Sequence, residues 1–230
     1  ARLNKSKLKN ILNILLEKND LPHKELFIAF SFLYKIEIRN NLDKLDLGFP
    51  ASEQFINDRI IINALKKCIF RDHKLEKLLT KMRKNIFDRI IKNIEKISYS
   101  ELKFVTALAQ QCFLNEYVYS FTKSEEISIN TIINRCINGE INEINISILA
   151  CYLPLYKIID RIPKISTFNS SNQSFKELIK LQIIEPMKEI ELSKKLIKIG
   201  LINDDISKKV KSQYEENPYP RWRYGNPAEL

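Results

Sequence analysis

At 230 residues, 44% hydrophobic and 29% charged, the chain has apolar material for one sizeable core or two small ones and lies outside the disordered class. Four glycines cannot supply the turns of an all-β protein, and apolar runs such as Ile60 to Ile62 and Leu26 to Phe30 fall far short of a bilayer span. With no basic-then-apolar order after Ala1, a soluble, cytoplasmic protein without a membrane partner is expected, while a net charge of +10 leaves an anionic partner open.

Apolar residues recur mostly at three- and four-residue spacing, which predicts an all-α chain: a multi-helix bundle or irregular helical array ending in an extended Pro/aromatic segment. Helices are expected over Lys5 to Lys18, His23 to Leu42, Ser52 to Phe70, Lys74 to Ile97, Glu101 to Phe121, Ser128 to Asn138, Asn142 to Ile159, Ser174 to Ile184, Glu189 to Ile197 and Asp204 to Tyr214. Several starts carry capping residues: Ser52 and Glu53 behind Pro50, Ser98 and Ser100 before Glu101, Asn142 before Glu143, and Asn203 to Asp205 before Ile206. The long polar stretch with Pro and Ser after Ile162 marks an internal boundary. The expected organisation is a main helical domain over 1–161, a polar loop over 162–173, a helical extension over 174–214 and a linker over 215–230.

Phe104 to Val118 is apolar on most faces, and Ala107 and Ala109 permit close helix approach, so this is the expected central buried helix. Gln110, Gln111, Asn115 and Glu116 then lie in or beside a core and need partners, either in a structural hydrogen-bond network or in a ligand pocket. Pro154 falls inside a helical pattern, which it kinks or ends. Between Arg59 and Lys96, twelve Lys and Arg stand against four Asp and Glu. They alternate with Leu75, Leu78, Leu79, Met82, Ile86 and Ile90 as on a solvated basic face. A basic helical module for nucleic acid or an acidic protein is the alternative reading.

The motifs of common chemistries are missing. Cys68, Cys112, Cys136 and Cys151 form no Cys-x-x-Cys pair and read as reduced buried thiols. His23 and His73 have no partner at metal-ligand spacing, so no metal is implied. Gly48, Gly139, Gly200 and Gly225 are isolated, which excludes a glycine-rich phosphate loop and a Gly-x-Ser-x-Gly elbow. The carboxylate pairs Asp72 with Glu76, Glu185 with Glu189, and Glu215 with Glu216 read as solvated helix faces.

The most informative segment is Gln213 to Trp222, Gln-Tyr-Glu-Glu-Asn-Pro-Tyr-Pro-Arg-Trp, whose prolines stiffen the backbone and whose rings have little chain left to pack against. It reads as a junction, and the chain as a fragment. Ile184 to Leu192, Ile202 to Ser207 and Val210 to Trp222, in this order and spacing, resemble the stretch preceding the catalytic domain in a family of bacterial S-adenosylmethionine-dependent class I methyltransferases. Many members carry tetratricopeptide repeats upstream. Leu75 to Arg83, Ala109 to Val118 and Ala150 to Tyr156 resemble further blocks, so the similarity runs from about residue 70 to the end. No self-similarity at the tetratricopeptide period occurs within the chain.

The resemblance implies that the complete protein transfers a methyl group from S-adenosylmethionine, bound by a downstream methyltransferase domain of the same chain. The present segment is then the non-catalytic helical domain, acting in scaffolding, substrate presentation or oligomerisation, with a protein substrate or a second copy as partner. Within the junction, Pro218 and Pro220 hold Tyr219 and Trp222 in an extended presentation. Tyr214, Tyr219, Arg221 and Trp222 are the candidate cofactor-side residues, closing over the cofactor or docking the linker on the following domain, with Arg221 reaching a carboxylate. No catalytic residue is expected in the segment.

Overall fold

The computed structural model describes residues 4–92, 96–195 and 204–216, the last three of these by backbone alone. Within them the chain is helical and contains no strand. Helices α1 (Lys5–Glu17) and α2 (His23–Asp46) pack side by side, and α3 (Glu53–Asn57) leads into α4 (Arg59–Lys67), which lies against α1. Next come α5 (His73–Lys92), packed on α2, and α6 (Tyr99–Leu114). Then follow α7 (Lys123–Ile137), α8 (Glu143–Ala150), a 3₁₀ turn at Leu155–Ile158, α9 (Lys164–Thr167) and α10 (Gln173–Ile179). A π turn at Lys180–Ile184 joins α10 to α11 (Glu185–Lys195), and α12 (Asp205–Glu216) is the last element. Among the described residues no helix is long and apolar enough to cross a membrane.

Helix α6 is the axis of the assembly, as its sequence predicts. Every residue from Phe104 to Leu114 is buried, and α3, α4, α8 and α10 all pack on it. The small Ala107 and Ala109, both fully buried, let those neighbours approach on faces where a larger side chain would hold them off. One continuous core runs from Leu12 and Leu16 on α1 through Phe30, Leu65, Leu79 and Leu108 to Phe175 and Ile183. Within 162–173, Ile162 and Ile165 turn inward, the latter on α9.

Helix ends follow local chemistry. Ser98 and Thr122 form reciprocal capping boxes with Glu101 and Glu125 at the starts of α6 and α7. Three helices finish in the same six-residue wrap, in which the amide two past the cap returns to the carbonyl five residues earlier: Phe49 to Lys44, Tyr117 to Cys112 and Glu140 to Arg135. At α2 and α7 the left-handed position is glycine, with φ 83° at Gly48 and 103° at Gly139. At α6 it is Glu116, followed by Tyr117, both at φ 57°. Gly139→Ala is expected to destabilise the fold by about 1 kcal/mol through backbone strain alone, since no atom lies within 4 Å of the added methyl; urea unfolding measures it.

Several boundaries depart from the expected ones for identifiable reasons. Ser52 to Phe70 is two helices, because the Asp58 carboxylate caps a new one by accepting from the Ile60 amide at 2.8 Å and from the Tyr34 hydroxyl at 2.7 Å. Asn142 to Ile159 likewise breaks after Ala150, before Pro154. Conversely, Ser174 to Ile197 holds no break across the described part: the π turn carries the helix through to Lys195, and Pro186, which has no amide to donate to the turn before it, lies just past that π turn.

Candidate functional site

Of the residues expected to serve the cofactor, Tyr219, Arg221 and Trp222 lie outside the described residues, as does the side chain of Tyr214, whose backbone belongs to α12. What the structure does bring together is a buried polar hub where α5, α6 and α8 meet. Its first anchor is Arg83, expected on the basic face but only 1% exposed. Its position explains this: Arg83 falls one helical turn after Leu79 and three residues before Ile86, within the apolar stripe of α5. That phase was the signal in the sequence, masked by the charges around it.

The Arg83 guanidinium donates through Nη1 to the carbonyl of Cys151 (3.2 Å) and through Nη2 to that of Ser120 (2.6 Å), and both nitrogens lie 3.4 Å from the carbonyl of Tyr119. It stacks 4.1 Å from the centroid of the Tyr152 ring. The Tyr152 hydroxyl donates to Glu125 Oε1 at 2.8 Å, while Glu125 Oε2 accepts from the amide and hydroxyl of Thr122 at 2.8 and 2.9 Å. A buried cation is thus balanced by a buried carboxylate across an aromatic ring. Burial alone would raise the Glu125 carboxyl, but the Thr122 and Tyr152 hydrogen bonds and the Arg83 charge outweigh it and keep the carboxylate ionised.

Gln182, in the π turn, is the second anchor. Its Nε2 donates to the carbonyls of Ala109 (2.9 Å) and Ala150 (3.1 Å), and its Oε1 accepts from the Tyr117 hydroxyl (3.1 Å) and the Leu155 amide (3.2 Å). Pro154 explains why α8 needs such a partner. With no N–H, it cannot satisfy the carbonyl of Ala150 four residues earlier, and Gln182 and Tyr117 do so instead. Because the Leu155 amide turns to Gln182, the carbonyl of Cys151 is in turn free to accept from Arg83. One proline therefore exposes two carbonyls, and three side chains distant in sequence, Gln182, Tyr117 and Arg83, close on them.

Two of the amides expected to build a network do not build it: the side chains of Gln110 and Gln111 are fully buried and meet no hydrogen-bond partner among the described residues. Three of the four thiols, Cys68, Cys136 and Cys151, are unreactive in character, whereas at Cys112 burial is outweighed by the Cys151 hydrogen bond and the Arg83 charge, which lower it. Burial pushes Cys68 up to about 12 and Cys136 to about 11, and burial with the Cys112 contact raises Cys151 well above the ordinary range. All four are free and buried. Tyr152 is likewise held as a neutral phenol, mainly by burial.

Several cations of the basic stretch are engaged within the fold. Arg59 pairs with Glu17, Lys66 with Glu177, Lys77 and Lys81 with Asp46, and Arg89 with Glu101, while Lys67 donates to the Lys18 carbonyl and Asn19. Two surface clefts of about 540 and 520 Å³ flank the ends of α5 and α6. In the first, Arg135 is turned onto the carbonyls of Ile90 and Ile91 and Glu143 onto Ser170 and Asn172. In the second, the Arg89 and Glu101 charges oppose each other. Among the described residues no group of three His, Cys, Asp or Glu could hold a metal ion.

Glu101 provides a pH handle. Burial raises its carboxyl, but hydrogen bonds and charge from Arg89 and the Ser98 amide prevail and hold it below the ordinary carboxylate range. A depressed folded-state value means that the stabilisation is present above the unfolded carboxylate range and is lost as pH falls through the folded value. Glu101→Gln is therefore expected to cost about 1 kcal/mol at neutral pH, with the difference from wild type vanishing in acid; urea unfolding across a pH series measures it.

Compared with protein-family models, curated proteins and solved structures, the chain matches none. The hub offers no open position: the guanidinium faces backbone carbonyls and a ring, and the carboxylate faces its own helix cap. Its chemistry is that of a clamp on the chain.

Proposed function

We propose that this chain is the non-catalytic helical domain preceding a class I S-adenosylmethionine-dependent methyltransferase domain, with a role in scaffolding, substrate presentation or oligomerisation. The observation that supports this reading is where the family-like blocks fall. Leu75 to Arg83, Ala109 to Val118 and Ala150 to Tyr156 are far apart in sequence, yet Arg83 donates to the Cys151 carbonyl and the Tyr117 hydroxyl to the Ala150 carbonyl. Three of the blocks that carry the resemblance thus touch one another directly.

On this reading Tyr214, Tyr219, Arg221 and Trp222 lead into the catalytic domain and either close over its cofactor or dock the linker. The deciding experiment is calorimetry with S-adenosylmethionine on a chain extended past Leu230, with the 230-residue chain alongside. Binding by the extended chain only is expected. Binding by neither, or no glycine-rich βαβ sequence downstream, overturns the proposal. Nucleic-acid affinity that falls steeply with salt would put the basic module in its place. In the extended chain, Trp222→Ala separates the two roles: lost cofactor affinity with unchanged stability marks the lid, and lost stability with normal affinity marks docking.

A further inference from the structure

The outer face of α2 carries an apolar stripe that no other described element covers. Ile28, Phe32 and Ile36 succeed one another at four-residue spacing and are 74, 58 and 52% exposed, although the opposite face of the same helix buries Phe30, Leu33, Tyr34 and Ile38. A helix apolar on both faces has two partners to satisfy, and only the inner one is met by α1, α4 and α5. An exposed aromatic between two isoleucines is the pattern of a helix-pairing seam.

The charges around the stripe select the partner. Glu25 lies seven residues before Phe32 and Arg39 seven residues after it, and Ile28 and Ile36 lie four before and four after. At 100° per residue all of these fall on one side of the helix, and both Glu25 and Arg39 are exposed, with no salt bridge to another described residue. The stripe is therefore palindromic in hydrophobicity and antisymmetric in charge about Phe32. A second α2 laid antiparallel across it places Ile28 against Ile36 and Glu25 against Arg39, twice over by symmetry. A parallel pairing would set Glu25 on Glu25 and Arg39 on Arg39. Such self-complementarity is the signature of an isologous interface.

We propose that this face of α2 is a self-association surface that pairs antiparallel with α2 of a second copy, about a two-fold axis through Phe32. From Glu25 to Arg39 the seam is about 21 Å long at 1.5 Å per residue, which places it among small, reversible interfaces. The expected species is a concentration-dependent dimer. Lys24, Lys35 and Asp43 flank the seam and make the association sensitive to salt. The inference specifies the oligomerisation role of the proposed function, but its readout is mass and that of the function is cofactor binding, so either can fail alone.

The test is sedimentation equilibrium of the 230-residue chain over a wide concentration range. Wild type is expected to pass from monomer to dimer. Phe32→Glu is expected to remain monomeric with unchanged helical content and melting temperature, because the ring is outside the core. Glu25→Arg and Arg39→Glu are each expected to weaken the dimer at least about tenfold, and the double exchange to restore it, since the pair is simply reversed. A wild-type monomer at every concentration overturns the proposal and leaves the stripe to another chain or to a segment outside the described residues. A dimer that survives Phe32→Glu places the interface elsewhere, and failure of the double exchange to restore association overturns the antiparallel register.

Discussion

Arg83→Met is expected to lower the unfolding free energy by about 3 to 5 kcal/mol, the largest effect of any single side chain in the hub. Methionine fills much of the space of the arginine stem, so the loss reports the guanidinium rather than a cavity. Three carbonyls, those of Tyr119, Ser120 and Cys151, lose their donor. The Tyr152 ring loses its cation, and Glu125 is left without the charge that balances it. Each unsatisfied buried acceptor costs about 1 to 3 kcal/mol, with the Ser120 carbonyl at the low end because that residue is exposed. Arg83→Lys keeps the charge but not the planar fork that spans several carbonyls, and is expected to recover less than half of the loss. Urea unfolding with an unchanged slope measures both. A loss under about 1 kcal/mol for Arg83→Met would show that water replaces the guanidinium and that the hub is not held by it.

Gln182→Leu is expected to cost about 1 to 3 kcal/mol, since a side chain of similar size removes four hydrogen bonds at once; the Tyr117 hydroxyl still reaches the Ala150 carbonyl, but the Leu155 amide loses its acceptor and the Ala109 carbonyl a donor. The effect is expected to be local as well as global. Amide exchange at Leu155 and through the 3₁₀ turn rises, because the glutamine oxygen is what that amide donates to. Arg83 and Gln182 grip adjacent carbonyls, those of Cys151 and Ala150, so the double variant is expected to cost less than the sum of the single ones. Strict additivity would mean that the two anchors hold independent parts of the fold.

Much of the architecture is legible from residue order. The three- and four-residue period identifies the helices because burial on one face is a local constraint repeated each turn. Phe104 to Leu114, apolar all round, reads directly as the central helix. Ser98, Asn142 and Pro154 mark their boundaries because capping and the missing proline N–H act within a few residues. The period also holds Arg83 and Gln182 in phase with buried neighbours, Leu79 and Leu178, which marks them as inward-facing. The break at Asp58 was less legible, since its decisive partner, the Tyr34 hydroxyl, lies on another helix.

By itself, then, the sequence determined the helical class, the central helix, several caps and the interruption of α8 at Pro154. It also placed a chemical palindrome on one face of α2. Only the tertiary structure decided that the carbonyls released by Pro154 are met by a glutamine from the π turn and an arginine from α5, and that Gln110 and Gln111 take no part. The physical reason is range. Periodicity and capping are satisfied within one or two turns, whereas a buried carbonyl is satisfied by whichever donor the packing of distant helices delivers to it.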